Sequence, residues 1–405
     1  MQTNLADAIR DTPEGREADA ILRKCVHCGF CTATCPTYQI LGDELDGPRG
    51  RIYLIKQALE GAPVTEKTRL HLDRCLSCRS CESTCPSGVR YGRLADIGRR
   101  FVEERTERSS WESLKRSALS YALPRTGLFS VALRTGQALR PLLPAVLRDA
   151  VPERGDPAGQ WPPVRHARRM LVLAGCVQPA LAPAINAAAA RVLDRVGISL
   201  IETPGCCGAV RFHLNEQDAG RAQMRALIDE WWPAIERAEV EAIVMTASGC
   251  GATVREYGHL LAEDPAYRDK AARVSAMTRD LCEVVPADAM PPCTGRGRVA
   301  FQSPCSLQHG QQLRGRVEVL LAKTGHEVVP VADAHLCCGS AGTYSILQPA
   351  LSAELRARKL NALTAGMPER IATANIGCLT HLQGGSAVPV RHWIQLVDEA
   401  MAGRG

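Results

Sequence analysis

The sequence predicts a helical N-terminal domain followed by two copies of an α/β unit. Three observations lead to this fold class. Two cysteine runs of identical spacing lie in the first quarter of the chain, and a set of cysteine landmarks repeats at a nearly constant interval in the second half. Strand-like and helix-like segments alternate around those later landmarks. A fixed internal period is the sequence signature of duplicated structural units.

Length and composition indicate a folded protein of about two or three domains. The chain has 405 residues, of which 45% are hydrophobic and 23% are charged, and its net charge is a mild +6. No signal peptide and no run of about 20 apolar residues is visible, so we expect a cytoplasmic location. Thiols stay reduced there, and the 18 cysteines are therefore expected to bind metal or carry redox chemistry rather than form disulfides.

The two N-terminal cysteine runs share the pattern C-x2-C-x2-C-x3-C-P. One reads CVHCGFCTATCP at 25–36 and the other reads CLSCRSCESTCP at 75–86. Iron in [4Fe–4S] clusters takes four thiolate ligands, and in two-cluster ferredoxins the fourth cysteine of each run binds the other cluster. Crossing the runs assigns one cluster to Cys25, Cys28, Cys31 and Cys85, and the other to Cys75, Cys78, Cys81 and Cys35.

A zinc module is the main alternative for these cysteines. Structural zinc sites usually take four ligands from two separated C-x2-C pairs, whereas here three cysteines at x2 spacing precede each Cys-Pro, twice. A nucleic-acid-binding zinc module would also bring a concentrated basic patch beside the cysteines, which the sequence lacks. The pattern therefore favours two [4Fe–4S] clusters and no nucleic-acid partner.

The stretch between the runs is longer than in a compact ferredoxin. It has 39 residues between Cys35 and Cys75, including Gly-Pro-Arg-Gly-Arg at 47–51 and an apolar, helix-like stretch at 52–59. This favours an extended, helical two-cluster domain. Arg49 and Arg51 either neutralise cluster charge and raise its reduction potential, or are solvated arginines of a loop and a helix start.

The second half of the chain is built from a duplicated pattern centred on Cys-Cys-Gly, and each copy is called here a CCG unit. Corresponding landmarks are 129, 131 and 128 residues apart, namely Cys176 and Cys305, Cys207 and Cys338, and Cys250 and Cys378. Strand candidates fall at 170–174, 199–201 and 242–245, then at 299–301, 327–331 and 370–372. Helix candidates fall at 184–196 and 216–232, then at 311–324 and 351–365.

Alternation of strands and helices predicts parallel sheets, in which functional groups collect beyond the carboxyl ends of the strands. The complete fold class is therefore α+β and α/β: a helical two-cluster ferredoxin-like domain followed by two duplicated α/β cysteine-rich units. We expect four regions, at 1–105 (cluster domain), 106–165 (basic helical arm and Pro-rich linker), 166–295 (first CCG unit) and 296–405 (second CCG unit).

Each CCG unit brings four thiols towards one rim of its sheet. Adjacent cysteines followed by glycine can present sulfur to a common metal or redox centre, and buried structural thiols are the alternative. Histidines near these turns (His213, His309, His335 and His381) are interpreted as hydrogen-bonded structural residues, and Cys282 and Cys293 as incidental. The sequence thus predicts an additional redox or metal site, with a further cluster as one option, at Cys176, Cys206, Cys207, Cys250, Cys305, Cys337, Cys338 and Cys378.

The arm between the cysteine sets has a different character. From Leu114 to Arg148 it contains six basic residues and no acidic one, interspersed with apolar residues and interrupted by three prolines. One interpretation is a set of helices packed on the α/β units. The other is an element that docks on a partner or on the inner face of the cell membrane.

Taken together, these motifs resemble the iron–sulfur subunits of glycolate oxidase. This family is similar to the anaerobic glycerol-3-phosphate dehydrogenase C subunit and to the catalytic subunits of heterodisulfide reductases. The likeness covers nearly the whole chain and is most specific in CVHCGFC at 25–31, GPRGRIY at 47–53 and HWI at 392–394.

The resemblance implies an oxidoreductase complex, a glycolate oxidase or dehydrogenase. FAD-containing flavoprotein partners would oxidise glycolate to glyoxylate, and this chain would pass the electrons on, with quinone as the expected acceptor. The chain shows no dinucleotide-binding fingerprint or P-loop of its own, and it has no certain catalytic residue. Alternatives are a related glycerol-3-phosphate, D-lactate or heterodisulfide reductase-type complex, and an iron–sulfur sensor or zinc interaction protein.

One departure bears on the CCG units. The full pattern of heterodisulfide reductases has a fifth cysteine in a terminal C-x2-C. Here Ala247 and Asn375 stand three residues before Cys250 and Cys378. Each unit therefore has four cysteines of the pattern rather than five.

Overall fold

The computed structural model describes residues 1–144, 148, 151–290 and 295–403. Parts of the predicted arm and of the first CCG unit, including Cys293, lie outside these residues. The N-terminal region is helical, as predicted, with short 3₁₀ turns between its helices. Its helices are Asp7–Arg10, Pro13–Lys24, Pro36–Leu41, Pro48–Leu59, Glu66–Asp73, Ser80–Thr84 and Tyr91–Glu103.

The core of the N-terminal region forms where three amphipathic helices face one another. Leu22, Ile55 and Leu94 come from different helices and are completely buried, and a fully buried aliphatic side chain contributes about 1.5–3 kcal/mol. Gly98 lies so close to Ile55 that a Cβ atom would stand 2.5 Å from its Cγ1 atom. The glycine therefore lets the helices Pro48–Leu59 and Tyr91–Glu103 approach closely.

Among its described residues, the arm contains the α-helices Ser110–Ala122 and Thr126–Leu139. The hydroxyl of Ser109 accepts a hydrogen bond from the Glu112 amide and caps the first helix. Residues 152–163, which belong to the predicted linker, have no regular secondary structure. No helix among the described residues has both the length and the apolarity needed to span a bilayer.

The first CCG unit is a parallel four-stranded sheet in the order β2-β1-β3-β4. Its strands are β1 (Arg168–Leu173), β2 (Ile198–Thr203), β3 (Ile243–Met245) and β4 (Thr278–Asp280). Its helices are Gln178–Leu181, Ala184–Arg195, Ala209–His213, Gln217–Glu236, Ser248–Val254, Tyr257–Leu260, Arg268–Met277 and Leu281–Val284.

The second CCG unit repeats this topology, with the strand order β6-β5-β7-β8. Its strands are β5 (Arg298–Gln302), β6 (Glu327–Val329), β7 (Arg370–Thr373) and β8 (Val390–His392). Its helices are Arg316–Lys323, Tyr344–Leu347, Pro349–Thr364, Ile376–Gln383 and Trp393–Met401, and a π-helical turn covers Ser306–Gly310. The duplication and the parallel sheets are therefore confirmed.

The two CCG units share one hydrophobic core. Helices Ala184–Arg195 and Trp393–Met401 pack on each other between the sheets, with Leu193 and Trp393 almost fully buried. Arg191 and Arg195 both donate to the buried carboxylate of Asp398 across this contact. The fourth strand of each unit was not predicted, because its residues, Thr-Arg-Asp in β4 and Val-Arg-His in β8, are mostly polar and form no apolar run.

Candidate functional site

Four of the predicted ligands line one cavity in the N-terminal region. Cys25, Cys28, Cys31 and Cys85 surround a space of about 430 Å³, with Cys81 at its edge. Cys25 is buried, whereas Cys28 is exposed. Val26 and Phe30 flank Cys28 with 68% and 62% of their surface exposed, so this tetrad opens to the protein surface through an apolar rim.

The other four predicted ligands line a second cavity of about 310 Å³. Cys35, Cys75, Cys78 and Cys81 surround it. The Tyr91 hydroxyl lies 3.5 Å from the Cys75 sulfur, and the Ser77 amide lies 3.4 Å from the same sulfur. Tyr91 also lines the first cavity, so the two tetrads are neighbours separated by a buried phenol.

The loops between the cysteines take the same shape in both runs. The second residue after the first cysteine (His27 and Ser77) and the fourth residue after it (Gly29 and Arg79) all have positive φ angles. Left-handed backbone at these points curls each loop, so that three sulfurs face one centre. Pro36 then begins a helix that leads the chain away.

The two arginines that follow the first run have different environments. Arg51 is 1% exposed and donates to the His71 carbonyl, to Thr37 and to Asp46. Although burial lowers its pKa, the nearby Cys75, Tyr91 and Cys35 raise it above the usual value. Arg51 is therefore a permanent buried cation beside the second tetrad. Arg49 instead pairs with Glu44, is partly exposed and lines the cavity of the first tetrad.

The cysteines of the first CCG unit form a connected set at the carboxyl ends of its strands. Cys206 is hydrogen-bonded to Cys176 and Cys207, and Cys207 is hydrogen-bonded to Cys250. The hydrogen bonds with Cys176 and Cys207 lower the pKa of Cys206 to about 3. Gly208 follows with φ of 84°, and a Cβ atom there would lie 2.9 Å from the Gly220 carbonyl. This close approach explains the glycine of the Cys-Cys-Gly turn.

The second CCG unit builds the same set from Cys305, Cys337, Cys338 and Cys378, linked in that order by hydrogen bonds. A buried cation lies near this set. Lys359 is 3% exposed, and its ammonium donates to the carbonyl oxygens of Asp333 and Ala334. Burial lowers the pKa of Lys359, while Cys305, Cys338 and Cys337 act in the opposite direction.

The second CCG set is also joined to the second tetrad. The Cys305 thiol is hydrogen-bonded to Cys78 as well as to Cys337, and Cys78 and Cys305 pack in one apolar cluster with Leu76 and Tyr344. Two more contacts hold this junction. Ser83 lies 2.9 Å from His309 Nδ1, and the Tyr344 hydroxyl donates to the Arg74 carbonyl at 3.2 Å.

The positions that lack the fifth cysteine lie where the two CCG units meet. The Asn375 side-chain carbonyl accepts a hydrogen bond from the Gly249 amide, and its amide nitrogen lies 3.7 Å from the Cys378 sulfur. Ala247 is a buried core residue. Asn375 therefore connects the last cysteine of one unit to the last cysteine turn of the other.

A polar cavity of about 410 Å³ lies beside Cys75, where the N-terminal region, the arm and both CCG units meet. Arg99, Arg116, His213 and Tyr344 are among its lining residues. Desolvation by the surrounding protein, together with Arg99 and Arg79, lowers the pKa of His213 to about 4, although its side chain keeps access to solvent. The cavity therefore combines an imidazole, two arginines and the carboxylate of Asp73 next to a tetrad cysteine.

All four histidines interpreted as structural lie within the described residues. His309 and His381 are hydrogen-bonded, to Ser83 and Ser352 respectively, as expected of structural residues. The side chains of His213 and His335 make no hydrogen bond within the described residues, and His213 lines the polar cavity. Sequence reasoning did not foresee the contact between Cys78 and Cys305 or the buried Lys359, since neither has a signal in local spacing.

The donor chemistry of the tetrads suits an iron–sulfur cluster. At least four thiols line each N-terminal cavity, and backbone amides approach the sulfurs of Cys75 and Cys85 at 3.4 and 3.5 Å. Soft thiolates of this number and hydrogen bonds to their sulfurs are the features that hold such clusters and tune them. Fold and donor set together define an iron–sulfur protein with a ferredoxin-type domain and two cysteine-rich domains.

The comparisons with known proteins agree with this class. Residues 21–89 match the family described as 4Fe-4S dicluster domain, and residues 170–255 and 299–383 match the family described as Cysteine-rich domain. The chain is 54% identical over 405 residues to the glycolate oxidase iron-sulfur subunit of Escherichia coli, covering 99% of both chains. The chain belongs to the family of glycolate oxidase iron–sulfur subunits.

More distant relatives fit the same picture. The probable glycolate oxidase iron-sulfur subunit of Bacillus subtilis is 31% identical, with 93% of this chain and 92% of that protein covered. Lactate utilization protein A of Geobacillus thermodenitrificans is 25% identical over 53% of this chain and 92% of its own length. The crystal structure of a hypothetical protein from Helicobacter pylori has a similar fold, with a TM-score of 0.50 at 11% identity, covering 97% of this chain and 73% of that one.

Proposed function

We propose that this chain is the electron-transfer subunit of a glycolate oxidase or dehydrogenase complex and carries two [4Fe–4S] clusters. The observation that carries this proposal is the pair of adjacent cavities, each lined by thiols from both cysteine runs, with Cys81 lining both. The crossed arrangement supports Cys25, Cys28, Cys31 and Cys85 as one ligand set and Cys75, Cys78, Cys81 and Cys35 as the other. Each bound cluster supplies a one-electron carrier.

The partners would be flavoprotein subunits whose FAD takes a hydride from glycolate and yields glyoxylate. The exposed Cys28, with Val26 and Phe30 around it, is the side of the first tetrad that a donor protein can approach. Arg51 and Tyr91 lie on the inner side of the tetrads. A buried cation and a buried phenol beside the thiolates stabilise the negative charge of the thiolates and clusters in a part of the site that is buried from solvent.

The acceptor would be a quinone, and we propose that it approaches the polar cavity beside Cys75. Arg99 there favours a ligand that gains negative charge when it is reduced, Arg116 is paired with Asp73, and His213 offers a hydrogen-bonding partner. Reduction of one quinone ring to the quinol consumes two electrons from the glycolate side and two protons from solvent.

The eight CCG cysteines are proposed as additional metal or redox sites, and the second set is favoured for electron transfer because Cys305 reaches Cys78. We also propose the division into regions 1–105, 106–165, 166–295 and 296–405, which the separate sheets and the intervening arm helices support.

Two measurements test the proposal. Reconstituted protein should contain at least about eight iron atoms per chain and show [4Fe–4S] EPR signals on reduction. About four iron atoms without such a signal would overturn the two-cluster assignment.

The native complex, purified through this subunit, should contain flavin and reduce a soluble quinone with glycolate. D-lactate and glycerol 3-phosphate are the comparison substrates, and D-lactate matters because relatives named lactate utilization protein A match about half of this chain. Activity confined to either of these substrates would replace glycolate in the proposal.

A further inference from the structure

The first arm helix exposes its apolar side chains and buries polar ones, which is the opposite of an ordinary surface helix. Along Ser110–Ala122, Trp111, Leu114 and Tyr121 are 66%, 60% and 58% exposed, whereas Arg116 and Ser120 are buried. Spacings of three and seven residues place the three exposed apolar side chains on one face of a helix. The helix therefore presents its apolar face to the outside and its arginine to the protein.

The second arm helix presents a similar face. Along Thr126–Leu139, Leu128 and Val131 are 43% and 65% exposed, and Leu133 is the buried side chain. Leu142, in the turn that follows, is 82% exposed. We define the arm face as the exposed side chains of Trp111, Leu114, Tyr121, Leu128 and Val131. So many large apolar side chains on consecutive helices indicate a surface that something covers.

Three cations lie along the arm helices beside the arm face. The Lys115 ammonium lies 5.8 Å from the centre of the Trp111 ring, and the Arg125 guanidinium lies 3.8 Å from the centre of the Tyr121 ring. Arg134 is exposed and pairs with no acidic group in the described part of the chain. No acidic residue occurs from 114 to 148, and Glu112, which precedes this stretch, is held by Arg108 and Arg116.

We infer that the arm face docks on the surface of an anionic phospholipid bilayer. Aromatic and aliphatic side chains enter the boundary between headgroups and acyl chains, and neighbouring Lys and Arg side chains bind anionic headgroups. A protein partner is less favoured, because the cores of protein interfaces are depleted of charge, whereas cations flank the aromatics along this face. This surface does not depend on the proposed enzymatic function.

Docking through the arm face would have a structural consequence for the polar cavity. Arg116 lies on the inner side of the same helix and lines the cavity beside Cys75. One helix therefore has the membrane on its outer side and the cavity on its inner side, which would bring the cavity close to molecules dissolved in the bilayer.

Flotation of the full-length, cluster-loaded protein with vesicles tests the inference. The protein should float with vesicles of phosphatidylglycerol and phosphatidylethanolamine, and bind at least about tenfold more weakly to phosphatidylcholine vesicles or in high salt. The triple variant Trp111→Ser, Leu114→Ser, Val131→Ser should bind at least about tenfold more weakly to the anionic vesicles. The triple variant Lys115→Gln, Arg125→Gln, Arg134→Gln should lose most of the difference between the two lipids.

The matched control is Val319→Ser with Met367→Ser. These side chains are 50% and 76% exposed on the second CCG unit, away from the arm, and their loss should leave vesicle binding unchanged. Vesicles with brominated acyl chains measure the lipid contact directly, because bromine quenches the fluorescence of an indole ring that it contacts. This measurement is informative even for variants that still bind. Quenching in the wild type should largely disappear in Trp111→Phe.

Either of two results would overturn the inference. One is that the wild type floats with neither kind of vesicle. In that case, protection of residues 111–131 from hydrogen exchange by the flavoprotein partner would identify a protein as the occupant of the arm face. The other is that binding and quenching persist unchanged in the serine and Trp111→Phe variants, which would place the lipid contact on another surface.

Discussion

The two CCG units have the same strand order and the same cysteine spacing, yet they attach to the N-terminal region through chemically different contacts. The first unit is held by charges: Arg79 binds Glu256 with a 2.8 Å contact between Nη2 and Oε2, Glu17 meets His259 at 2.9 Å, and Arg100 meets Asp218. The second unit is held by neutral contacts, namely Cys78 with Cys305, Ser83 with His309, and Tyr344 with the Arg74 carbonyl.

This difference indicates that duplication supplied two similar thiol sites and that the contacts around them diverged. Ion pairs position the first unit, and salt or acid can weaken them. The contacts of the second unit bring a thiol of its set against a tetrad thiol, and a buried lysine stands near that set. In the first unit, the position 131 residues before Lys359 is Ile228, a fully buried core residue.

The largest expected effect concerns the tetrad that the second unit touches. If Cys35 crosses over to join Cys75, Cys78 and Cys81, then Cys35→Ser should remove one of the two N-terminal clusters, about four iron atoms. Iron analysis and EPR measure the loss. Cys282→Ala is the control, because Cys282 is buried outside every cysteine set and its loss should leave iron unchanged. Loss of the other cluster's signal in Cys35→Ser would reverse the pairing.

A matched pair of substitutions tests the asymmetry of the CCG units directly. Cys305→Ser should alter the EPR spectrum of the cluster at the second tetrad and shift its potential by roughly tens of millivolts, because a hydrogen bond to the Cys78 sulfur changes. Cys176→Ser, at the corresponding position of the first unit, should leave both unchanged. Equal effects of the two variants would show that both CCG units influence the clusters to the same extent, which would contradict the asymmetry.

The ion pair between Arg79 and Glu256 should be the strongest charged contact of the first unit. Its side chains are 21% and 24% exposed, so Glu256→Gln leaves a mostly buried guanidinium without its partner and should cost about 2 kcal/mol. Glu241→Gln is the control, because its pair with Arg168 is exposed and should cost less than about 1 kcal/mol. Thermal unfolding midpoints provide the comparison, and equal shifts would contradict a buried attachment.

The smallest effect depends on pH. Burial tends to raise the pKa of Glu17, but hydrogen bonds from His259 and Arg93 outweigh it and lower the pKa from 4.5 to about 2. Since the folded-state pKa is the lower one, the stabilisation is complete above about pH 4.5 and is lost as the pH falls towards 2. Glu17→Gln should therefore cost about 1 kcal/mol at neutral pH.

Urea denaturation of the wild type and Glu17→Gln at several pH values measures this. Their difference in unfolding free energy should be constant from pH 8 to about 6 and should shrink below about pH 4.5. A difference that is independent of pH down to 4 would mean that the charge of Glu17 does not hold the first unit.

The fold class could be predicted from the sequence because the helices, strands and cysteine turns that define it have signals within short stretches of the chain. Cysteine spacing, the paired Cys-Cys-Gly turns and the apolar strands predicted the helical region and the two parallel sheets, and the resemblance predicted the family. The helix predicted at 311–324 starts later, at Arg316, because the π-helical turn at Ser306–Gly310 is followed by left-handed backbone at Gln312 and Gly315. The sequence gives no local signal for this turn, in which His309 reaches Ser83 of the N-terminal region.

The parts of the site that were missed all depend on contacts between distant segments. Cys78 and Cys305 are far apart in the chain, and His213 reaches the polar cavity only because the first CCG unit packs beside Arg99. Arg51 is similar: its sequence position allowed a solvated interpretation, and only the packing of Asp46 and His71 around it makes it a buried cation. Such contacts follow from the assembled fold rather than from any single motif.

The exposure of Cys28 also predicts which tetrad is oxidised first in air. Of the cysteines in the described residues, Cys28 is the exposed one. A surface that admits a partner's electrons also admits dioxygen and peroxide, and oxidation of thiolates follows accessibility. Handling in air should therefore damage the first tetrad before the second. The product would be a chain that still contains iron but no longer accepts electrons from its partner, so iron content alone would overestimate the working fraction.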